Sequence, residues 1–276
     1  MLEPLSHSSW LIPVAKEAYK SRAQIATSWE RALTHIKGKK IEIAVTGLSG
    51  AGKTVLLDHL TGQAFHHGYK PPGRSRSLEK GKLPAKGFRI GLSTIPGQDS
   101  RPRLAALSDV FEAKHPVNGV IHVVSNGFIS LREHTSQQVL ISDLKVDTID
   151  KLRQYFLEEE LSDLEETLGY VRKSLRKSHK PTWLLVAVAK SDLFYDKIAD
   201  AERYYSPTGS GPFAEKMQGF MNQVGSDNFD WEAVPVAAWL EDFGWGGETL
   251  PSQFKQEQRD HFVGQFAEVL EKNCGS

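Results

Sequence analysis

The octapeptide Gly47-Leu48-Ser49-Gly50-Ala51-Gly52-Lys53-Thr54 constrains this chain more than any other segment. Ile41, Ile43 and Val45 alternate before it, and Val55-Leu56-Leu57 opens a helical run after it. A strand, a loop of the form GxxxxGK[ST] and a helix together make a phosphate cradle. The glycines allow tight turns and close approach, so successive backbone N–H groups and the helix N-terminus face an anion. Gly47, Gly50, Ala51, Gly52, Lys53 and Thr54 are the expected phosphate contacts. Lys53 places a point charge at the β- and γ-phosphates, and the Thr54 hydroxyl can ligate Mg²⁺.

The rest of the chain repeats the strand–helix theme. A hairpin is expected over Lys82–Ile95, with Phe88–Leu92 in its second arm, and a helix around Leu104–Phe111. Gly119–Val124 and Trp183–Val188 are short apolar runs that read as buried strands, and Val234–Ala238 is a weaker third. A last helix is expected over about Ser252–Lys272. This order implies an α/β fold of the P-loop NTPase type, a mainly parallel, doubly wound sheet flanked by helices. Leu157, Leu161, Leu164, Leu168, Val171 and Leu175 make a heptad-like seam, read here as the face of a crossover helix resting on the sheet. Ser206–Gly211 and Gly244–Gly247 read as loops. Residues 1–40 form an expected N-terminal helical extension, with Ile25, Trp29, Leu33 and Ile36 on one face and seven basic residues against three acidic ones. The expected organisation is that extension followed by one domain over 41–276, with a helical insertion at about 131–180.

Composition narrows the class. The 34 basic and 34 acidic side chains balance, which argues against a nucleic-acid binder. The single cysteine, Cys274, excludes an internal disulfide or a zinc site of several thiolates and suits a reducing compartment. No stretch of sequence approaches a membrane span, and the N-terminus lacks the features of a secretory signal, so a cytoplasmic location is expected.

Two further elements point to the base and to the reaction. Ala189-Lys190-Ser191-Asp192 ends a strand and resembles the [NT]KxD guanine motif of Ras-like GTPases, with Ala189 in place of the usual Asn or Thr. Thr94-Ile95-Pro96-Gly97-Gln98 resembles their DxPGQ switch II, with Thr94 in place of Asp. Val236-Ala237-Ala238 is similar to the SA[KL] element whose backbone meets the base. The chain thus resembles a Ras-like P-loop small GTPase of the translation-factor-related class over about residues 40–272, with no subfamily assigned. The resemblance implies that Lys190, Asp192 and Ala238 bind guanine, that Gly97 senses the γ-phosphate, and that two residues serve catalysis, Gln98 by orienting water and Lys53 by stabilising charge. It also implies a switch I hydroxyl on Mg²⁺. No threonine lies between Thr61 and Thr94, so Ser75 or Ser77 would serve there, Ser75 being the metal candidate.

The expected function is a GTP-binding switch with slow Mg²⁺-dependent hydrolysis. Expected partners are guanine nucleotide and a protein effector or activator engaging the switch loops or helical segments, with a nucleotide-dependent dimer as one form. Thr94 and the missing switch I threonine leave open a GTP-binding scaffold without hydrolysis. The phosphate loop also resembles that of sulfate-activating kinases, the third alternative, although such an enzyme has no use for the Pro-Gly-Gln or Lys-x-Asp elements.

Overall fold

The computed structural model describes residues 9–10, 40–65, 68–71, 79–83, 89–95, 101–114 and 116–275. Almost all of the N-terminal extension therefore lies outside the described residues.

A six-stranded sheet in the order β2-β3-β1-β4-β5-β6 organises the chain. Its strands are β1 (Lys40–Thr46), β2 (Glu79–Leu83), β3 (Arg89–Thr94), β4 (Gly119–Val124), β5 (Trp183–Val188) and β6 (Asp230–Pro235). All neighbours pair in parallel except β2 and β3, which form the expected hairpin with Gly81 opposite Leu92. Every residue of β4 and β5 is buried, as central strands covered on both faces require. β6 begins and ends earlier than its apolar residues suggest. Pro235 closes it, and Val236–Ala238 form a loop instead.

Helices connect the strands. They are α1 (Lys53–Leu60), α2 (Arg101–Phe111), α3 (His134–Gln138), α4 (Ile149–Ser178), α5 (Ile198–Tyr205), α6 (Pro212–Val224) and α7 (Gln256–Gly275). A π-helical turn over Val139–Asp143 continues α3. The expected insertion thus resolves into a short helix, this turn and the 30-residue α4. The long helix is a crossover between β4 and β5, and it packs on α2 and α6. Its buried stripe contains Leu164, Leu168, Val171 and Leu175 of the leucine seam and is wider than the seam. Leu157 and Leu161 are half-buried, whereas Glu160, Asp163 and Thr167 are buried beside Leu164, Leu168 and Val171.

A two-stranded hairpin, β7 (Phe243–Trp245) with β8 (Glu248–Leu250), occupies a segment read from sequence as loop. It docks on the start of α4. The Trp245 indole N–H donates to Val146 O at 2.9 Å, and the Glu248 carboxylate accepts from Ile149 N–H at 2.7 Å. Ser252, placed in the last helix from sequence, precedes α7 in irregular structure.

β1 is the point where the winding of the sheet reverses. From it the chain builds outward through β3 on one side and β4 on the other. In open α/β sheets a crevice opens beyond the carboxyl ends of the strands at such a reversal.

Candidate nucleotide site

The phosphate loop leaves β1 at that crevice. Gly47 has φ +123°, and a Cβ there would lie 2.1 Å from Val123 O on β4. Gly50 has φ +86°, and its Cβ would lie 2.4 Å from Ser130 O. Both the conformation and the lack of space demand glycine at these positions. Lys53 is buried, and its ammonium donates to Gly47 O at 2.6 Å and Leu48 O at 2.8 Å, so the charge is held inside the curl of the loop.

A cavity of about 490 Å³ joins this loop to the guanine-like element. Ser49–Leu56 wall one end, Lys190, Asp192 and Leu193 the other, and Ile129–Glu133 one side. Ala238, Trp239, Phe243 and Trp245 also line the cavity. The structure therefore brings together Gly50, Ala51, Gly52, Lys53, Thr54, Lys190, Asp192 and Ala238, with Gly47 at the root of the loop. Gly97, Gln98 and Ser75, along with Ser77, lie outside the described residues. Thr94 ends β3 beside Val45, its Cα partner.

Lys190 adopts the left-handed conformation at φ +57°. Its ammonium donates to Phe128 O at 2.6 Å and Ser130 Oγ at 2.7 Å, and it lies 5.5 Å from the centre of the Phe243 ring. Loss of surrounding water brings it down to about 7. Asp192, Glu160 and Glu241 oppose that shift, and Arg132 adds to it. Ser130 N–H reaches Gly50 O at 3.4 Å. The loop after β4 thus braces the phosphate loop where Ala189 has no polar side chain to do so.

That loop is itself pinned by α4. Buried Glu160 accepts from the N–H groups of Ser125 at 2.8 Å and Gly127 at 3.2 Å, and from the Tyr205 hydroxyl at 2.6 Å. Burial raises its pKa against these hydrogen bonds. Arg153 donates to Asn126 O at 3.1 Å and Asn126 Oδ1 at 2.9 Å.

Asp192 is 1% exposed, and burial raises its carboxyl pKa. Its Oδ2 accepts from Ser252 Oγ at 2.7 Å, while its Oδ1 has no hydrogen-bond partner. A buried carboxylate oxygen left this way is an acceptor suited to an N–H donor from a ligand in the cavity. Thr54 lines the cavity at the head of α1, and no group of three acidic, histidine or cysteine side chains gathers for a metal among the described residues.

A second buried cluster lies behind the loop. Thr46 Oγ1 hydrogen-bonds with His122 Nδ1 at 2.8 Å, and His122 Nε2 stands 3.7 Å from Asp163 Oδ2. Arg103 of α2 binds Asp163 Oδ1 and, at 2.6 Å, Glu166 Oε2. Burial, then the charges of Arg103 and Lys53, lower His122 to about 3, while burial raises Asp163 against the pull of Arg103.

Sequence reasoning found the two charged ends of the cavity and missed its walls. Ser130, Trp239, Phe243 and Ser252 belong to no motif, and only tertiary contact brings them to the site.

A family model described as 50S ribosome-binding GTPase matches residues 42–187. No curated protein matches the chain. Among solved structures, the chain is similar to the ADP-ribosylation-factor-like small COPII coat GTPase Sar1 of Encephalitozoon cuniculi in complex with GDP. Identity there is 13%, over 93% of this chain and 89% of that one, with a TM-score of 0.44. A dimerization-deficient mutant of Toc33 from Arabidopsis thaliana is 10% identical over 92% of each chain, with a TM-score of 0.43. The mammalian SRP receptor is 19% identical over 71% of this chain and 91% of that one, with a TM-score of 0.40.

Proposed function

The chain belongs to the 50S ribosome-binding GTPase family, whose model it matches over more than half its length, and from that premise we propose that it is a guanine-nucleotide switch that hydrolyses GTP slowly. The observation that carries this reading is one cavity with a phosphate loop at one end and a buried, half-satisfied carboxylate at the other. In this proposal Asp192 accepts the N1 and N2 hydrogens of guanine. The stem of Lys190 and the backbone at Ala238 border the base. The amides of Gly50–Thr54 hold the phosphates, and Lys53 turns from its own loop carbonyls to the β- and γ-oxygens.

The reaction is attack of water on the γ-phosphate, with Gln98 orienting the water and Gly97 sensing the phosphate. Thr54 and Ser75 would hold Mg²⁺, which would supply charge neutralisation when bound. Slowness follows from Thr94 at the position where related chains carry an aspartate that holds Mg²⁺ through water. The same residue favours a second reading, a scaffold that binds GTP without cleaving it. The proposal includes one domain over 41–276, a cytoplasmic location, and a protein effector or activator docking on the switch loops or helical segments. It also allows a nucleotide-dependent dimer.

Calorimetry with GTP and ATP, followed by phosphate release with and without Mg²⁺, tests it. Preference for GTP with slow, Mg²⁺-dependent release is the expected result. Preference for ATP overturns both readings, and GTP binding with no release over hours leaves the scaffold. Asp192→Asn replaces an acceptor by a donor-bearing amide, so the preference for guanine should be lost while phosphate contacts remain.

A further inference from the structure

We propose that Ser252 positions Asp192 and thereby sets the selectivity of the site for a purine with a 2-amino group. This rests on the guanine reading above.

A carboxylate recognises the paired N1 and N2 hydrogens of guanine only when both oxygens lie in the plane of the base edge. A side chain free to rotate keeps one bond at the expense of the other. Asp192 is not free to rotate. Ser252 Oγ donates to its Oδ2 at 2.7 Å, and a carboxylate oxygen has a second lone pair left for a ligand. Oδ1 has no partner at all.

The neighbouring base loop cannot do this work, because Val236, Ala237 and Ala238 carry no hydroxyl. The brace comes instead from the far end of the β7–β8 excursion, and it is itself rigid. Ser252 N–H donates to Asp242 Oδ1 at 3.0 Å. The next residue, Gln253, clasps the turn that carries Asp192. Its N–H donates to Asp192 O at 2.9 Å, its amide nitrogen to Asp196 Oδ1 at 2.9 Å, and its amide oxygen accepts from Asp196 N–H at 3.1 Å. The hairpin between Ala238 and Ser252 also lines the cavity through Phe243 and Trp245. One excursion of the chain thus supplies both a wall for the base and the hydroxyl that orients its acceptor.

The test is calorimetric titration of the full chain with GDP, IDP and ADP in Mg²⁺, since IDP lacks only the 2-amino group. Wild type should rank GDP above IDP and IDP above ADP. Ser252→Ala should weaken GDP about tenfold while IDP changes little, so the GDP/IDP ratio collapses. Ser252→Thr, which keeps the hydroxyl, should restore the ratio. The unfolding midpoint of each nucleotide-free variant monitors folding. The inference is overturned if Ser252→Ala keeps the wild-type GDP/IDP ratio, whether both affinities fall together, as for a merely structural brace, or neither changes. Failure of Ser252→Thr to restore a lost ratio also overturns it. A wild-type chain that does not distinguish GDP from ADP overturns the guanine reading, and this inference with it.

Discussion

Single side chains divide into those whose chemistry is local and those whose chemistry is borrowed. Lys53 is local. Its ammonium already sits among the loop carbonyls where phosphate oxygens would compete for it. Lys53→Ala should therefore weaken GDP at least about 100-fold, read by displacement of a fluorescent analogue, because charge-assisted bonds to phosphate are lost. Lys190 and Asp192 were legible for the same reason, since a strand end presents them together. Ser252 and Ser130 were not legible, because nothing in their neighbouring sequence marks a residue that acts across the fold. His122 is a borrowed case with a pH signature. It stays neutral in the fold down to about 3, against an ordinary value of 6.5, so the unfolded chain takes up its proton first. Its contribution is complete above pH 6.5 and erodes as pH falls toward 3, by up to about 1.4 kcal/mol per pH unit. Asp163, raised in the fold, acts in the opposite sense, and Arg103, Lys53 and Thr46 also bear on the ring. Comparing wild type with His122→Gln isolates the histidine. Urea unfolding at pH 7, 6 and 5 should give the variant a shallower acid slope, and identical slopes would refute the assignment.

At the scale of elements, α4 ties the loops around the nucleotide together. Through Glu160 it holds the loop that braces Gly50, through Ile149 it receives the β7–β8 hairpin, and through Asp163 it grips Arg103 on α2. Glu160→Leu strands two backbone N–H groups and a tyrosine hydroxyl in the interior, so it should cost about 3 kcal/mol and weaken nucleotide binding. Glu160→Gln keeps an acceptor and should retain most of both. Chemical denaturation checks the first number and GDP titration the second. The long helix is readable in outline, and so is most of its buried stripe: Leu164, Leu168, Val171 and Leu175 of the seam are buried, and Leu157 and Leu161 are half-buried against the core. Leucine spacing does not show that the fold also buries Glu160, Asp163 and Thr167, whose polar atoms are satisfied in part by loop amides and Arg103. The strands β4 and β5 were legible to the residue, because a strand covered on both faces is apolar at nearly every position, His122 in β4 being the exception. The hairpin was not, since three residues per strand carry no periodic signal and its stability comes from docking on α4.

For the whole molecule, the cavity collects segments near residues 50, 130, 190 and 240 that are far apart in sequence. A ligand touching all of them binds only the folded chain, so GDP at 100 times its dissociation constant should stabilise by about 2.7 kcal/mol and raise the melting temperature by about 5 °C. A thermal scan over increasing GDP should show a shift that continues to grow with concentration, and no shift would exclude a site assembled in this way. The central place of β1 has a different consequence, one of timing. Among the described strands it comes first in the chain, and there it pairs with β3 and β4, the latter ending at Val124. At about 5–20 residues per second, the strand is made roughly 4–16 s before its second partner is complete. During that interval a nascent chain carries Ile41, Ile43 and Val45 with an open hydrogen-bonding edge, and the phosphate loop beyond them lacks the β4 backbone on which Gly47 rests. Competence to hold a nucleotide therefore lags behind synthesis of the loop residues that define it.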